Sequence, residues 1–240
     1  MSELSPLLIP VDRRDEWFKG TPKEPQATVI VYGFDPIPDQ LDPVVTYFSQ
    51  RGDVHTFKYP NEVVTGGDPY MLPRLVKQLT KTVQEEIVSV HGNERVRMVG
   101  ASLGSCIAMN IQDELGLTMA GVYATAGVNV AGNFMRNPVF RYARVPQKYE
   151  ANGYYLDDVR AAWKDIDIYP DREKKDTTRF WANASILDPV VWYPLAKQNL
   201  RHFNGYTLHR STAIWHTNAI NEMANHIAEA TERADSIKNR

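Results

Sequence analysis

Through its first half the chain alternates short apolar runs with longer segments of helical pattern. The run ATVIVYG (27–33) is followed by LDPVVTYFSQRG (41–52), then DVHTFKYP (53–60), then YMLPRLVKQLTKTVQEEIVSV (70–90). RVRMVG (95–100), SCIAMNIQDELG (105–116) and MAGVYATAGV (119–128) continue the series. ATVIV and VRMV are continuous, β-branched and without polar alternation, the pattern of strands covered on both faces. In the long segment Leu75, Leu79, Val83 and Ile87 recur at four-residue spacing, which predicts an amphipathic helix. Strands separated by helices imply βαβ units with right-handed crossovers, hence a mostly parallel sheet with helices on both faces. A chain of 240 residues, 43% of them hydrophobic, is long enough to close one such core.

The alternation lapses between about 130 and 177, a block rich in aromatic and charged residues without clear periodicity. It resumes with RFWANASI (179–186), a helix-like VWYPLAKQNLRHF, the strand candidate YTLHRSTAIW (206–215) and a last helix from about Ala219. The block therefore reads as an insertion over one edge of the sheet, of a length at which loops become lids. Its aromatic residues either line a pocket or glue a short cap to the sheet. Residues 1–26, proline-rich and mixed in charge, read as an N-terminal arm or irregular lead-in, leaving 27–240 as one domain.

Composition narrows the partners. A formal net charge of −2 offers no basic stripe for nucleic acid or an anionic surface. No apolar run approaches the roughly 20 residues that span a bilayer, so no membrane span is expected. The single cysteine, Cys106, can form no internal disulfide, which favours a reducing, cytoplasmic setting. No His/Cys/Asp cluster has metal-ligand spacing, and TGGDP lacks the Lys-Ser/Thr of a phosphate loop. No cofactor is expected.

The turn between VRMV and the next helix carries the chemistry. Gly100-Ala101-Ser102-Leu103-Gly104 fits Gly-x-Ser-x-Gly in the place where that spacing matters, after a strand and at the start of a helix. A serine on so sharp a turn needs small residues two before and two after, so that helix and strand can approach. Its hydroxyl then stands clear of the sheet, beside N–H groups of the helix N-terminus.

Such a serine needs a base, and the base a carboxylate to orient it. Of six histidines, His216 follows a strand candidate and precedes a helix, placing it at the carboxyl edge with Ser102; His209 is the rival. Asp188, closing the run ASIL ahead of Pro189, is the favoured acid, and Asp35 in YGFDPIP the alternative. Cys106, one helical turn beyond Ser102, reads as a small apolar residue packed under the turn.

These residues resemble the α/β-hydrolase superfamily: GASLGS as the nucleophile elbow, LDP as the acid turn and WHTN as the histidine loop, in the order Ser, Asp, His. The likeness spans about 27–235. It implies that the first strand here corresponds to the family's third, that the leading hairpin is missing or reduced to the arm, and that the block from about 130 is the cap. It also implies an oxyanion hole from the backbone N–H groups of Phe34 and Leu103. In that loop Gly33 fits His-Gly-x while Tyr32 stands where a histidine is common, and Asp35 and Asp39 make the loop acidic. The expected activity is that of a serine hydrolase acting on a small-molecule carboxylic ester or related acyl compound. The other reading is a non-catalytic scaffold of the same fold that binds a small ligand or a protein.

Overall fold

The run VRMVGA forms the central one of the seven sheet strands among the described residues, and every residue of it is buried. The computed structural model describes residues 7–10, 26–34, 39–124, 130–166, 180–185, 205–209, 220, 224–225 and 227–238. In chain order the strands are β1 Leu7–Pro10, β2 Gln26–Val31, β3 Gly52–Lys58, β4 Val96–Ala101, β5 Gly121–Ala124, β6 Phe180–Ser185 and β7 Gly205–His209. They lie in the order β1-β3-β2-β4-β5-β6-β7, parallel throughout except that β1 runs antiparallel to β3. The arm is thus not wholly irregular: Leu7–Pro10 pairs residue for residue with Lys58–His55. Four residues ending in proline are too short a run to announce a strand, and the pairing is made by tertiary contact alone.

Two apolar layers cover the sheet. On one face lie the long helix α3, Met71–Thr82, and α4, Leu103–Glu114, following an earlier short helix α2, Glu62–Thr65. Leu75 and Leu79 of α3 are buried, and so are Val83 and Ile87 just beyond it, as their periodicity predicts. Beyond Thr82 the helix widens into a π-helical turn at Val83–Val88 and closes at Ser89–His91. On the other face α1, Asp42–Ser49, buries Val44, Val45 and Phe48 beside Ile227, Ala230 and Ala234 of the last helix.

The chain leaves β2 toward one face, through α1, and leaves β4 toward the other, through α4. The sheet therefore has its topological switch point between the carboxyl ends of β2 and β4, where parallel α/β sheets open a crevice for ligands.

The block after β5, expected to lack regular structure, contains four short helices: α5 Val130–Arg136, α6 Pro138–Tyr142, α7 Val145–Ala151 and α8 Leu156–Ala162. Each has at most seven residues, too few turns to print a period on the sequence. Pro138 and Pro146 start two of them, and the Asn137 side chain accepts a hydrogen bond from the Val139 N–H at 2.9 Å. Phe134, Phe140, Tyr149 and Trp163 are buried in the core of the first face, so these four aromatics glue the cap down. Tyr142 and Tyr155 point outward.

Three hydrogen bonds fasten this cap to α2 and to the connection between α2 and α3. The Trp163 indole N–H donates to the Pro69 carbonyl at 2.6 Å, the Tyr149 hydroxyl to the Val64 carbonyl, and the Asn152 amide to the Gly67 carbonyl at 3.1 Å. The TGGDP turn serves as the landing for the cap.

Candidate active site

Ser102 follows the last residue of β4 directly, with φ 56° and ψ −128°. That is a left-handed conformation that an L-residue holds only when its surroundings impose it, and such strain is concentrated at functional sites. The constraints are visible. The Ser102 N–H donates to the Ala124 carbonyl at 2.8 Å, and the buried Ser105 hydroxyl donates to the same oxygen at 2.8 Å. The two glycines of the motif allow the helix to approach the sheet. A β-carbon on Gly104 would lie 2.3 Å from the Val31 and Tyr32 carbonyl oxygens, and one on Gly100 2.5 Å from the Ser105 Cα.

The loop after β2 closes over the serine. A β-carbon on Gly33 would stand 2.8 Å from Ser102 Cβ and 3.5 Å from its Oγ. Phe34, next in the chain, packs its ring edge-on against Phe134 and Phe140 of the cap, at 5.9 and 6.2 Å between centroids. Leu103 opens α4, so its N–H belongs to the first turn, whose donors find no partner within the helix. Ser102, Gly33, Phe34 and Leu103 are thereby brought together at the switch point. Cys106 is buried on α4 one turn below, as expected.

Tyr32, at the position where a histidine is common, turns to the opposite face and joins the core around α1. Lys58 Nζ lies 4.6 Å from its ring centroid. Burial pushes its phenol up to about 12, and the carboxylates of Asp42 and Asp39 add to the rise. Asp39 itself is exposed.

The expected acid and base, Asp188 and His216, lie outside the described residues, as do the alternative acid Asp35 and the aromatics Trp192, Tyr193 and Trp215. The strand predicted over 206–215 is described only as Gly205–His209, which puts His209 at the carboxyl end of β7. His55 is set within β3, where burial lowers its pKa. His91 precedes β4 and lies 3.3 Å from Asp53, at the amino edge of the sheet, far from Ser102. Neither can serve this serine.

One residue at the carboxyl edge escapes notice in the sequence. β2 pairs Val31 with Phe57 of β3 and with Gly100 of β4, so Tyr59, Gly33 and Ser102, each two residues further on, all leave the same carboxyl edge just past the ends of three neighbouring strands. Its signal is only its place after a strand and before Pro60, which reads as a strand stop.

Among the described residues no group of three or more His, Cys, Asp or Glu could hold a metal ion, and no helix is long and apolar enough to cross a membrane.

A parallel sheet with helices on both faces, a strained serine on the elbow after its central strand and a helical cap after the next strand define the α/β-hydrolase fold, and this chain has it. Solved structures agree. The chain is similar to a protein of unknown function from Staphylococcus aureus subsp. aureus Mu50, at 13% identity and a TM-score of 0.59 over 92% of each chain. It is similar to MGS-MChE2, an α/β-hydrolase enzyme from the metagenome of lagoon sediments at Mar Chica, Morocco, at 17% identity and a TM-score of 0.53, covering 91% of this chain and 94% of that one. It is also similar to BorB, the type II thioesterase of the borrelidin biosynthetic cluster, at 16% identity and a TM-score of 0.51, covering 88% and 94%. No family model and no curated protein matches the sequence.

Proposed function

We propose that the protein is a cofactor-independent serine hydrolase that cleaves a carboxylic ester or related acyl compound through an acyl-enzyme on Ser102. The observation that carries this reading is the Ser102 backbone at φ 56°, held under Gly33 at the switch point. A fold has no structural use for a strained serine there, whereas a nucleophile gains a hydroxyl held clear of the sheet and a helix N-terminus beside it. Hydrolases among the similar structures, a thioesterase included, support the same class of reaction.

In this mechanism Ser102 Oγ attacks the acyl carbon while His216 takes its proton, and Asp188 holds the imidazolium in place. The Phe34 and Leu103 N–H groups stabilise the tetrahedral oxyanion. His216 gives the proton to the departing alkoxide or thiolate. Water activated by the same imidazole then releases the acid and restores the serine.

The test is mass spectrometry after incubation with a fluorophosphonate. One adduct, mapped to Ser102 and absent from Ser102→Ala, is the expected result. A folded protein that stays unlabelled overturns the proposal and leaves the fold as a ligand-binding scaffold.

A further inference from the structure

Among the described residues, two side-chain polar atoms are sealed from solvent without a hydrogen-bond partner: the Tyr59 hydroxyl and Arg97 Nε. Arg97 is otherwise occupied, since its guanidinium bonds the Ala120 carbonyl and Asp235. Tyr59 has no such second bond. A buried hydroxyl left unpaired weakens a fold, and native structures keep few of them without a use.

Its position suggests the use. Tyr59 immediately follows β3, at the carboxyl edge from which Gly33 and Ser102 also emerge, each two residues past the paired Phe57, Val31 and Gly100. Two strand spacings separate it from the serine, about 10 Å between backbones. Its ring packs into the core of the first face, the face of α4 and the cap, and its hydroxyl is close enough to Cys106 for the two to interact electrostatically. Cys106 is one turn below Ser102 on α4. The phenol is thus an unpartnered donor in the apolar layer shared by α4 and the cap, near Cys106 one turn from Ser102.

The direction of the substrate follows from the chemistry. A leaving group must meet the proposed base, His216, which comes after β7 in the sequence, and β7 lies on the other side of β4 from β3. The acyl chain is then the part that extends toward Tyr59. We infer that Tyr59 is a specificity-determining residue whose hydroxyl donates to an oxygen carried in the acyl chain, so that acyl groups with an ether, hydroxyl or keto oxygen are preferred to plain alkyl ones. This rests on the reading of Ser102 as nucleophile.

Two probes of equal chain length separate the possibilities, p-nitrophenyl methoxyacetate and p-nitrophenyl butyrate. The ratio of their kcat/KM values is compared between wild type and Tyr59→Phe, so that the greater intrinsic reactivity of the methoxy ester cancels. Loss of one hydrogen bond lowers that ratio about three- to tenfold. The Tm of Tyr59→Phe is expected at or above that of the wild type. An unchanged ratio in a protein that a fluorophosphonate still labels at Ser102 overturns the role of Tyr59 and leaves the serine reading intact. A variant that fails to fold also overturns it, because the hydroxyl would then be structural. No labelling and no hydrolysis of either ester by wild type defeats the Ser102 reading, and this inference with it.

Discussion

Gly33 has no room for a side chain because Ser102 occupies it: a β-carbon there would be 2.8 Å from Ser102 Cβ and 3.0 Å from the Ala101 carbonyl oxygen. The loop that carries Phe34 is positioned against Ser102 by the absence of one methyl group. In Gly33→Ala either the loop or the elbow must shift, and the Phe34 N–H leaves its place. Removal of one oxyanion donor costs about 10²–10³ in kcat. We expect the rate of fluorophosphonate labelling at Ser102 to fall by at least tenfold while circular dichroism stays native. Labelling at the wild-type rate would remove Phe34 from the oxyanion hole.

Gly104 is tighter still, since its neighbours at 2.3 Å are main-chain oxygens of β2 that cannot rotate aside. Here the expected effect is on stability. Gly104→Ala must push α4 away from the sheet and disturb the buried residues beneath it, a cost of about 3 kcal/mol or more. For a chain of this size that is a fall of about 6–12 °C in Tm. Thermal unfolding checks it, and a shift under 2 °C would mean that the helix is free to slide.

The sheet and the elbow were legible because each is written locally. A parallel strand buried on both faces is a continuous apolar run, and the elbow is five adjacent residues. Elements whose identity depends on distant partners were not. Leu7–Pro10 becomes a strand only because β3 has an open edge, and the cap helices are too short to repeat an apolar face. Tyr32 illustrates a subtler gap. Its alignment with the family's histidine suggests a role beside the serine, yet alternation along the strand turns its ring to the opposite face. Tyr59 was invisible for the converse reason, its significance lying in a register shared by three strands far apart in sequence.

The same Tyr32 gives a pH dependence. Its phenol is pushed from the usual 10.0 to about 12, by burial first and then by Asp42 and Asp39. A folded pKa above the unfolded one means that the stability tied to the neutral phenol is complete below pH 10 and lost as pH rises toward 12. The loss amounts to about 2–3 kcal/mol. Tyr149 and Tyr59 are raised too, so the wild-type curve alone does not isolate Tyr32. Urea unfolding of wild type and Tyr32→Phe at pH 9 and pH 11.5 does. The variant should lose less stability over that interval, and parallel curves would refute the assignment.

Arg97 is a charged residue inside the central strand, almost wholly buried, and its guanidinium is tied to Asp235 on the last helix and to the Ala120 carbonyl. Asp235 is about half exposed, so water screens part of the attraction and the pair is worth less than a fully buried one. The larger quantity is what remains when the carboxylate goes: a buried cation with one carbonyl for company. Asp235→Ala is therefore expected to cost about 1–3 kcal/mol in urea unfolding, more than the ion pair itself contributes. Adding Arg97→Met should recover part of that loss, because the thioether fills the same space and leaves no charge behind. If the double variant is less stable than Asp235→Ala alone, Arg97 supports the fold by more than its pairing, and its contact with Ala120 becomes the interaction to examine.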